Sequence, residues 1–413
     1  MKSGCGADML SHEDNELLSR VGKGTPMGTL MRAAWLPLCR KQFLEAGGTP
    51  RRMRLVGEDL VAFRAADGRV GVRDEKCPHR LCSLALARNE ENGLRCIYHG
   101  WKFDVSGEVT EVPTEPVERQ KAFAATVPKR HKPVREAGGI VWVWLGEGEP
   151  ASFYNFNWLS IPDEQIEIRV GTAECSWLNG LETALDTAHV GILHTNAIVD
   201  PTYIHKSDTL GLCTDDFAPH FEFDIQPYGY REAALRNMQN GGKYARIREF
   251  VMPFFSYIPV GPREDDQLIT MYVPVDDTHS AHWDIRYNLV GPKKLTWFED
   301  ENLDDYMLTM GTMDNLFHQD RDAMQKGSWT GFSSIRHEDS AVGMSQGAIP
   351  DRTQEFLSSS DLSIVRGRRM LLKAARAAAQ GQPHGVDPSL DMVELRALEE
   401  VLAPGADWRV LER

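Results

Sequence analysis

Two short clusters of cysteine and histidine, Cys77-Pro78-His79 and Cys96-Ile97-Tyr98-His99, stand with sixteen residues between them. Each loop offers one thiolate and one imidazole. That donor set suits a [2Fe–2S] centre in which two His replace two Cys on one iron. One iron then takes a Cys from each loop, and the other takes a His from each. The competing use of two Cys and two His is a zinc site. Zinc ribbons and fingers pair Cys with Cys and His with His at short spacing, whereas both pairs here are mixed.

A second constellation follows in the segment from Asn179 to His194, which carries Asp186-x₂-His189-x₄-His194. Two histidines and one carboxylate, with positions left open, form the facial set of non-haem Fe(II) oxygenases. Asp186 and His189 are three apart and share a face of a helix. His194 lies five beyond His189, about 140° further round an ideal helix. A continuous helix cannot aim both imidazoles at one ion. The helix expected from 175 to about 190 must therefore end or bulge near Gly191. Two residues compete for the carboxylate, which must come from far along the chain: Asp339 in the Glu338-Asp339 pair, and Asp322 in Gln319-Asp-Arg-Asp-Ala-Met. The run around Asp322 reads as a surface ion-pair segment.

The loops CPHR and CIYHGWKFD, the second with the strand Trp101-Lys102-Phe103-Asp104 behind it, resemble those of Rieske proteins. High-potential Rieske proteins join one further Cys from each loop in a disulfide. Cys82 falls at the first such position and Tyr98 at the second, so the cluster resembles the lower-potential kind that serves oxygenases. Cys82 is expected as a small buried residue and Tyr98 as a packed aromatic.

With Asp186, His189 and His194 the resemblance extends to the α subunits of Rieske non-haem iron aromatic ring-hydroxylating oxygenases. The phthalate dioxygenase-like branch, which includes aromatic O-demethylases, is the most similar. The stretches that carry it are Met9-Leu-Ser-His-Glu-Asp-Asn-Glu, Gly24-Thr-Pro-Met-Gly, Gly57-Glu-Asp-Leu-Val-Ala-Phe, Glu338-Asp-Ser-Ala-Val and Gln346-Gly-Ala-Ile-Pro-Asp-Arg-Thr-Gln-Glu-Phe-Leu. Asn179 stands where the branch usually has Gln, a position of expected pocket contact.

The resemblance implies cluster ligands Cys77, His79, Cys96 and His99, and mononuclear Fe(II) ligands His189, His194 and Asp339. It implies that Asp186 bridges His189 to His99 of a neighbouring protomer, carrying electrons between centres in a ring-shaped oligomer, a trimer or dimer of trimers. A terminal oxygenase of this kind takes electrons from an NAD(P)H-dependent flavin/iron–sulfur reductase. With O₂ it would hydroxylate, dihydroxylate or O-demethylate an aromatic carboxylate or methoxylated aromatic. A carboxylate calls for a cationic anchor, and the planar guanidinium suits it. Arg231, Arg236, Arg246 and Arg248 are the candidates, with Phe254, Phe255 and Tyr257 as lining.

The elements that must position these groups imply an α+β fold. Short strands with tight turns at 52–55, 60–64, 70–72 and 140–145 describe an N-terminal all-β Rieske domain. The resemblance implies a helix-grip catalytic domain after it, an antiparallel sheet with helices, and runs at 166–170, 222–225, 244–259, 267–275 and 282–289 read as its strands. The expected division is a helical and loop segment over 1–34, a Rieske domain over 35–147 and a catalytic domain over 148–413. The last helix spans about 362–379, and Arg366, Arg368, Arg369, Lys373 and Arg376 read as its solvated face.

At 413 residues the chain has room for two or three domains. A net charge of −14 without a basic patch argues against nucleic acid. Apolar runs fall far short of the roughly 20 residues of a membrane span, the N-terminus has no apolar signal core, and the cysteines form no disulfide framework. A cytoplasmic protein is expected. Two other functions fit parts of the pattern: an electron carrier with a non-catalytic C-terminal binding domain, or an oxygenase of quaternary amines. The second would need an aromatic cage, which the sequence does not display.

Overall fold

The computed structural model describes residues 10–199, 210–260, 266–292, 311–387 and 389–411; Met9 of the first branch-like stretch lies outside them. The chain forms two compact units, Met31–Ala151 and Met1–Leu30 with Ser152–Arg413. The N-terminal segment, expected as a lead of its own, thus clusters with the C-terminal unit. Among the described residues no helix is long and apolar enough to cross a membrane.

The first unit is built from three small antiparallel sheets. Strand Glu58–Arg64 buries the run Leu60-Val61-Ala62-Phe63, and Ile140–Trp144 is buried throughout, as β-branched and aromatic residues favour. The cluster loops grow from two of these sheets. The first leaves strand Val70–Asp74, and the second joins the short strands Gly93–Arg95 and Lys102–Asp104. Val61, Phe63, Leu84, Leu94, Trp101 and Phe103 pack beneath them in one core that also holds Cys77 and Cys96.

The second unit is organised, among the described residues, on an eight-stranded antiparallel sheet. Its strands are β1 (Ile166–Ala173), β2 (His220–Gln226), β3 (Gly229–Asn237), β4 (Lys243–Val251), β5 (Phe255–Ile258), β6 (Asp266–Pro274), β7 (Ser280–Asn288) and β8 (Leu398–Leu402). The order is β1-β7-β6-β5-β4-β3-β2, with β8 pairing β4. Strand β3 carries no expectation from the sequence, and the run expected over 244–259 is two strands, β4 and β5.

Four helices position the chemistry: α1 (His12–Ser19), α2 (Trp177–Leu185), α3 (Ile335–Ser345) and α4 (Leu362–Ala379). Helix α2 is buried along its length except at Thr183, with Asn179, Glu182 and Thr183 on one face and apolar or small residues on the rest. It lies against β5, β6 and β7. At Gly180 the approach is so close that a Cβ would fall 1.9 Å from the Tyr272 ring. Helix α4 turns Val365, Leu371, Leu372 and Ala375 inward. The basic face expected there is not uniformly solvated, because Arg368 is buried between Glu182 and Glu355.

Candidate metal centre and cavity

The two cluster loops close in the same way. Cys77 accepts a backbone hydrogen bond from Leu81 and donates one to Cys82; Cys96 accepts one from Gly100 and donates one to Trp101. Both thiols are buried, at 1% and 3% exposed, while the imidazoles lie half-buried above them. The His79 and His99 rings stand 4.4 Å apart, and His79 stacks on Trp101 at 4.6 Å.

The donors fit a cluster. Burial, and next the neighbouring Cys96 thiol, push Cys77 up to about 11, so paired thiolates here call for bound cations. His99 Nδ1 is buried with no hydrogen-bond partner. Tyr98 departs from expectation: it is 52% exposed and leans on the His99 ring at 3.9 Å. Cys82 is only partly buried and stands beside Cys96.

The segment from 177 to 194 breaks earlier than expected. Helix α2 ends at Leu185, Asp186 is its C-cap in extended conformation, and His189 opens a separate turn, Val190–Leu193, that ends at His194. The physical reason lies in side chains that take up the backbone groups freed by the break. Arg248 donates to the Ala184 and Leu185 carbonyls, and Arg236 donates to the Thr187 carbonyl. Asp186 Oδ1 accepts from the Ala188 and His189 amides. Asp186 and His189 therefore meet across a break, with Oδ2 3.4 Å from Nδ1, and not along one helix face.

From helix α3, Asp339 faces both imidazoles. Its Oδ1 lies 3.6 Å from His189 Nε2 and 3.3 Å from His194 Nε2, and the three donor atoms fall within 4.8 Å of one another. Donors of a facial set about 2.1 Å from an ion stand about 3 Å apart, so the spacing fits a metal. The buried Oδ1 has no partner in hydrogen-bonding geometry. Asp322, the competing carboxylate, is exposed on the short helix Arg321–Gln325.

Each histidine is oriented from behind by a second carboxylate. Asp186 takes Nδ1 of His189; Glu338, 0% exposed, takes Nδ1 of His194 at 2.7 Å. Glu338 accepts also from the Thr330 hydroxyl, which Asn196 supports. A proton held on Nδ1 leaves the Nε2 lone pair for a metal. Burial opposes charge on His194, but Asp339 and Glu338 outweigh it and hold its pKa at about 9; an ion at Nε2 would take that proton's place. The Glu338–His194 pair was missed as such, though Glu338 stands next to a candidate ligand in the sequence.

A cavity opens on this centre. Asp186, His189, His194 and Asp339 line it, with apolar walls that include Val190, Ile258, Leu268 and Ile335. Of the expected anchors, Arg246 and Arg248 line it, and both are engaged: Arg246 with Glu399 and the Pro259 carbonyl, Arg248 with Glu232. Arg231, Arg236 and Asn179 do not line it. Arg231 lies by Glu249 and the Leu411 carbonyl, and Arg236 holds the break beyond α2. Asn179 binds the Gly343 and Gly347 carbonyls and accepts from Arg352. Phe254, Phe255 and Tyr257 are likewise absent from the lining; Phe255 and Tyr257 pack on Phe156 instead. Arg169 and Arg336 do line the cavity. The sequence offered no reason to select them, since each is a lone arginine in an otherwise ordinary element.

Comparisons with known proteins agree with this architecture. Residues 34–127 match the Rieske [2Fe-2S] domain, and residues 143–413 match the LigXa C-terminal domain like family. The chain is 36% identical to the phthalate 4,5-dioxygenase oxygenase subunit of Pseudomonas putida, over 97% of this chain and 94% of that one. It is 33% identical to the 3-chlorobenzoate-3,4-dioxygenase oxygenase subunit of Comamonas testosteroni, over 96% of each. The terminal oxygenase of carbazole 1,9a-dioxygenase from Nocardioides aromaticivorans IC177 has the same fold, with TM-score 0.60 at 17% identity over 86% of this chain and 98% of that one. The two domain matches together span nearly all of the chain, and the relatives match it along almost its whole length: the chain belongs to the Rieske oxygenases, as an oxygenase subunit with a LigXa-like C-terminal domain.

Proposed function

We propose that this chain is the terminal component of a multicomponent system that hydroxylates, dihydroxylates or O-demethylates an aromatic carboxylate. The observation that carries the reading is the convergence of His189, His194 and Asp339 at the edge of a largely apolar cavity. Those three residues would hold Fe(II), and Cys77, His79, Cys96 and His99 the [2Fe–2S] cluster. When bound, the cluster supplies single electrons and the iron supplies oxygen activation.

The protein's own contribution is positional. Glu338 and Asp186 fix the ring orientation of the two histidines, and the apolar walls exclude water around a flat substrate. Asp186 is the candidate for the electron bridge from His189 to His99 of a neighbouring subunit, which requires a ring such as a trimer. An NAD(P)H-dependent flavin/iron–sulfur reductase would deliver the electrons. An electron-transfer partner has support from structural neighbours that include an oxygenase–ferredoxin complex of carbazole 1,9a-dioxygenase. The substrate class has support in relatives named for phthalate, 3-chlorobenzoate and 5,5'-dehydrodivanillate. A cytoplasmic location follows from the need for such a reductase.

The test combines metal analysis with turnover. Holoprotein given NADH, a reductase of this type and a panel of aromatic acids, with and without methoxy groups, is expected to consume O₂ in step with product. It should carry about three irons per chain, two in the cluster and one in the mononuclear site. Two irons and no coupled O₂ uptake would instead establish an electron carrier.

A further inference from the structure

We infer that Arg336, with Arg169 beside it, is the seat for a single carboxylate on the substrate's ring; the inference rests on the reading of the substrate as an aromatic acid. Arg336 is only 6% exposed and lines the cavity. Its Nε, Nη1 and Nη2 find no hydrogen-bond partner among the described residues. The carboxylate oxygen paired with it, Asp284 Oδ2, stands 3.7 Å away, beyond hydrogen-bond reach. Asp284 is itself engaged through Oδ1, by the Thr270 hydroxyl at 3.1 Å and His282 Nε2 at 2.9 Å. A buried guanidinium with its five donors unspent is costly.

The arginines that do have partners make the contrast. Arg246 is met by Glu399 and Arg248 by Glu232, so neither has its charge to spare. Arg169 faces Asp284 across the β1–β7 pairing, and Asp284 faces Thr270 across β6–β7. One row of the sheet therefore sets a cation, a carboxylate and a hydroxyl side by side on the same face. Arg336 comes to this row from helix α3. Burial, and then the like charge of Arg336, lower the Arg169 pKa to about 10. Asp284 thus faces both cations without reaching Arg336 at hydrogen-bond distance, and an incoming anion would take up the Arg336 donors. A ring carboxylate matches the guanidinium fork through two parallel hydrogen bonds.

Position supports the same assignment. Arg336 precedes Asp339 by three residues on α3, so the two side chains are neighbours about one helical turn apart. A ring held by its carboxylate at Arg336 would then lie along Ile335, Val190 and Leu268 towards the side of the cavity where His189, His194 and Asp339 converge.

Calorimetric titration of holoprotein with benzoates bearing hydroxy, methoxy, chloro or second carboxyl groups, each against its primary amide, tests the seat. Arg336→Gln is expected to weaken acid binding about ten- to hundredfold, the loss typical of a charge-assisted hydrogen-bond pair, while amide affinity changes less than about twofold. Iron content is measured on the same samples, so that a disturbed Asp339 is seen directly. Arg336→Lys keeps the charge and loses the fork; it should weaken acids about fivefold and carries the test if the Gln variant does not fold. Unchanged acid affinity in Arg336→Gln, or equal loss of acid and amide, overturns the seat. If the parent protein binds none of the acids, the reading of the substrate class falls instead.

Discussion

The histidines of the mononuclear centre have unlike supports, and the difference predicts unlike variants. Glu338 is fully buried, 2.7 Å from His194 Nδ1, and has the Thr330 hydroxyl on its other oxygen. Asp186 is half-buried, stands 3.4 Å from His189 Nδ1 and spends Oδ1 on two backbone amides. Losing the tighter support should release metal. Glu338→Gln, which keeps an acceptor without charge, is expected to weaken iron retention about tenfold, and Glu338→Leu about a hundredfold, the span known for residues behind metal ligands. Asp186→Asn keeps its oxygen acceptor for the amides, so both centres should stay loaded while coupled turnover is lost. Retention of iron against a chelator, the visible spectrum of the cluster and O₂ uptake together resolve the outcomes. Parent-like iron retention in Glu338→Leu would contradict the support role, and parent-like turnover in Asp186→Asn would refute the bridge.

Among elements, the cluster loops invite a direct comparison because each carries a left-handed residue four beyond its cysteine, Leu81 at φ 58° and Gly100 at φ 73°. Glycine occupies that region freely, whereas an L side chain pays about 1–2 kcal/mol. A Cβ at Gly100 would also lie 3.2 Å from Pro113. Gly100→Ala is therefore expected to destabilise the loop by about 1–2 kcal/mol. Leu81→Gly should be nearly neutral, because relief of strain offsets the added freedom of the unfolded chain. The temperature at which cluster absorbance is lost measures both, and no change in Gly100→Ala would remove strain from the account. These loops were legible in the sequence because ligand chemistry dictates residue type at fixed spacing. Strand β3 was not. It is buried on both faces except at its end and carries Arg231, Glu232 and Arg236 inside, so neither alternation nor an apolar run marks it. The same buried arginines looked like substrate anchors. Which guanidinium caps a helix end and which faces a cavity is decided by strand register, a tertiary property that spacing along the chain does not carry.

Across the C-terminal unit, two of the stretches that marked the branch in the sequence, those beginning at Met9 and at Gln346, meet in one buried ion network. Arg352, from the stretch beginning at Gln346, donates to Glu182, Asn179 and Asn15. Arg368 of α4 reaches Glu182 at 2.6 Å and grips Glu355 with both terminal nitrogens. Asn15 of α1 returns a bond to the Pro350 carbonyl. The network ties α1, α4 and the 346–357 stretch to α2, whose C-terminus presents Asp186. These two stretches thus hold the helix that presents Asp186, and Asn179 belongs to this scaffold and not to the cavity. Glu182 is its hub. Burial raises its pKa, but Arg352 and Arg368 outweigh that and hold it below the usual carboxylate range. Its contribution to stability is thus fully present above the unfolded value of about 4.3 and is lost as pH falls through the lower folded value. Glu182→Gln leaves two arginines short of a charge and should cost about 3–5 kcal/mol at pH 7. Below about pH 4 the difference from the parent should narrow, because the unfolded parent then takes up a proton on this carboxylate that the folded protein still excludes. Thermal midpoints of parent and variant between pH 7 and 3.5 provide the measurement. A gap that stays constant over that range would mean that the carboxylate's shape, and not its charge, holds the helix in place.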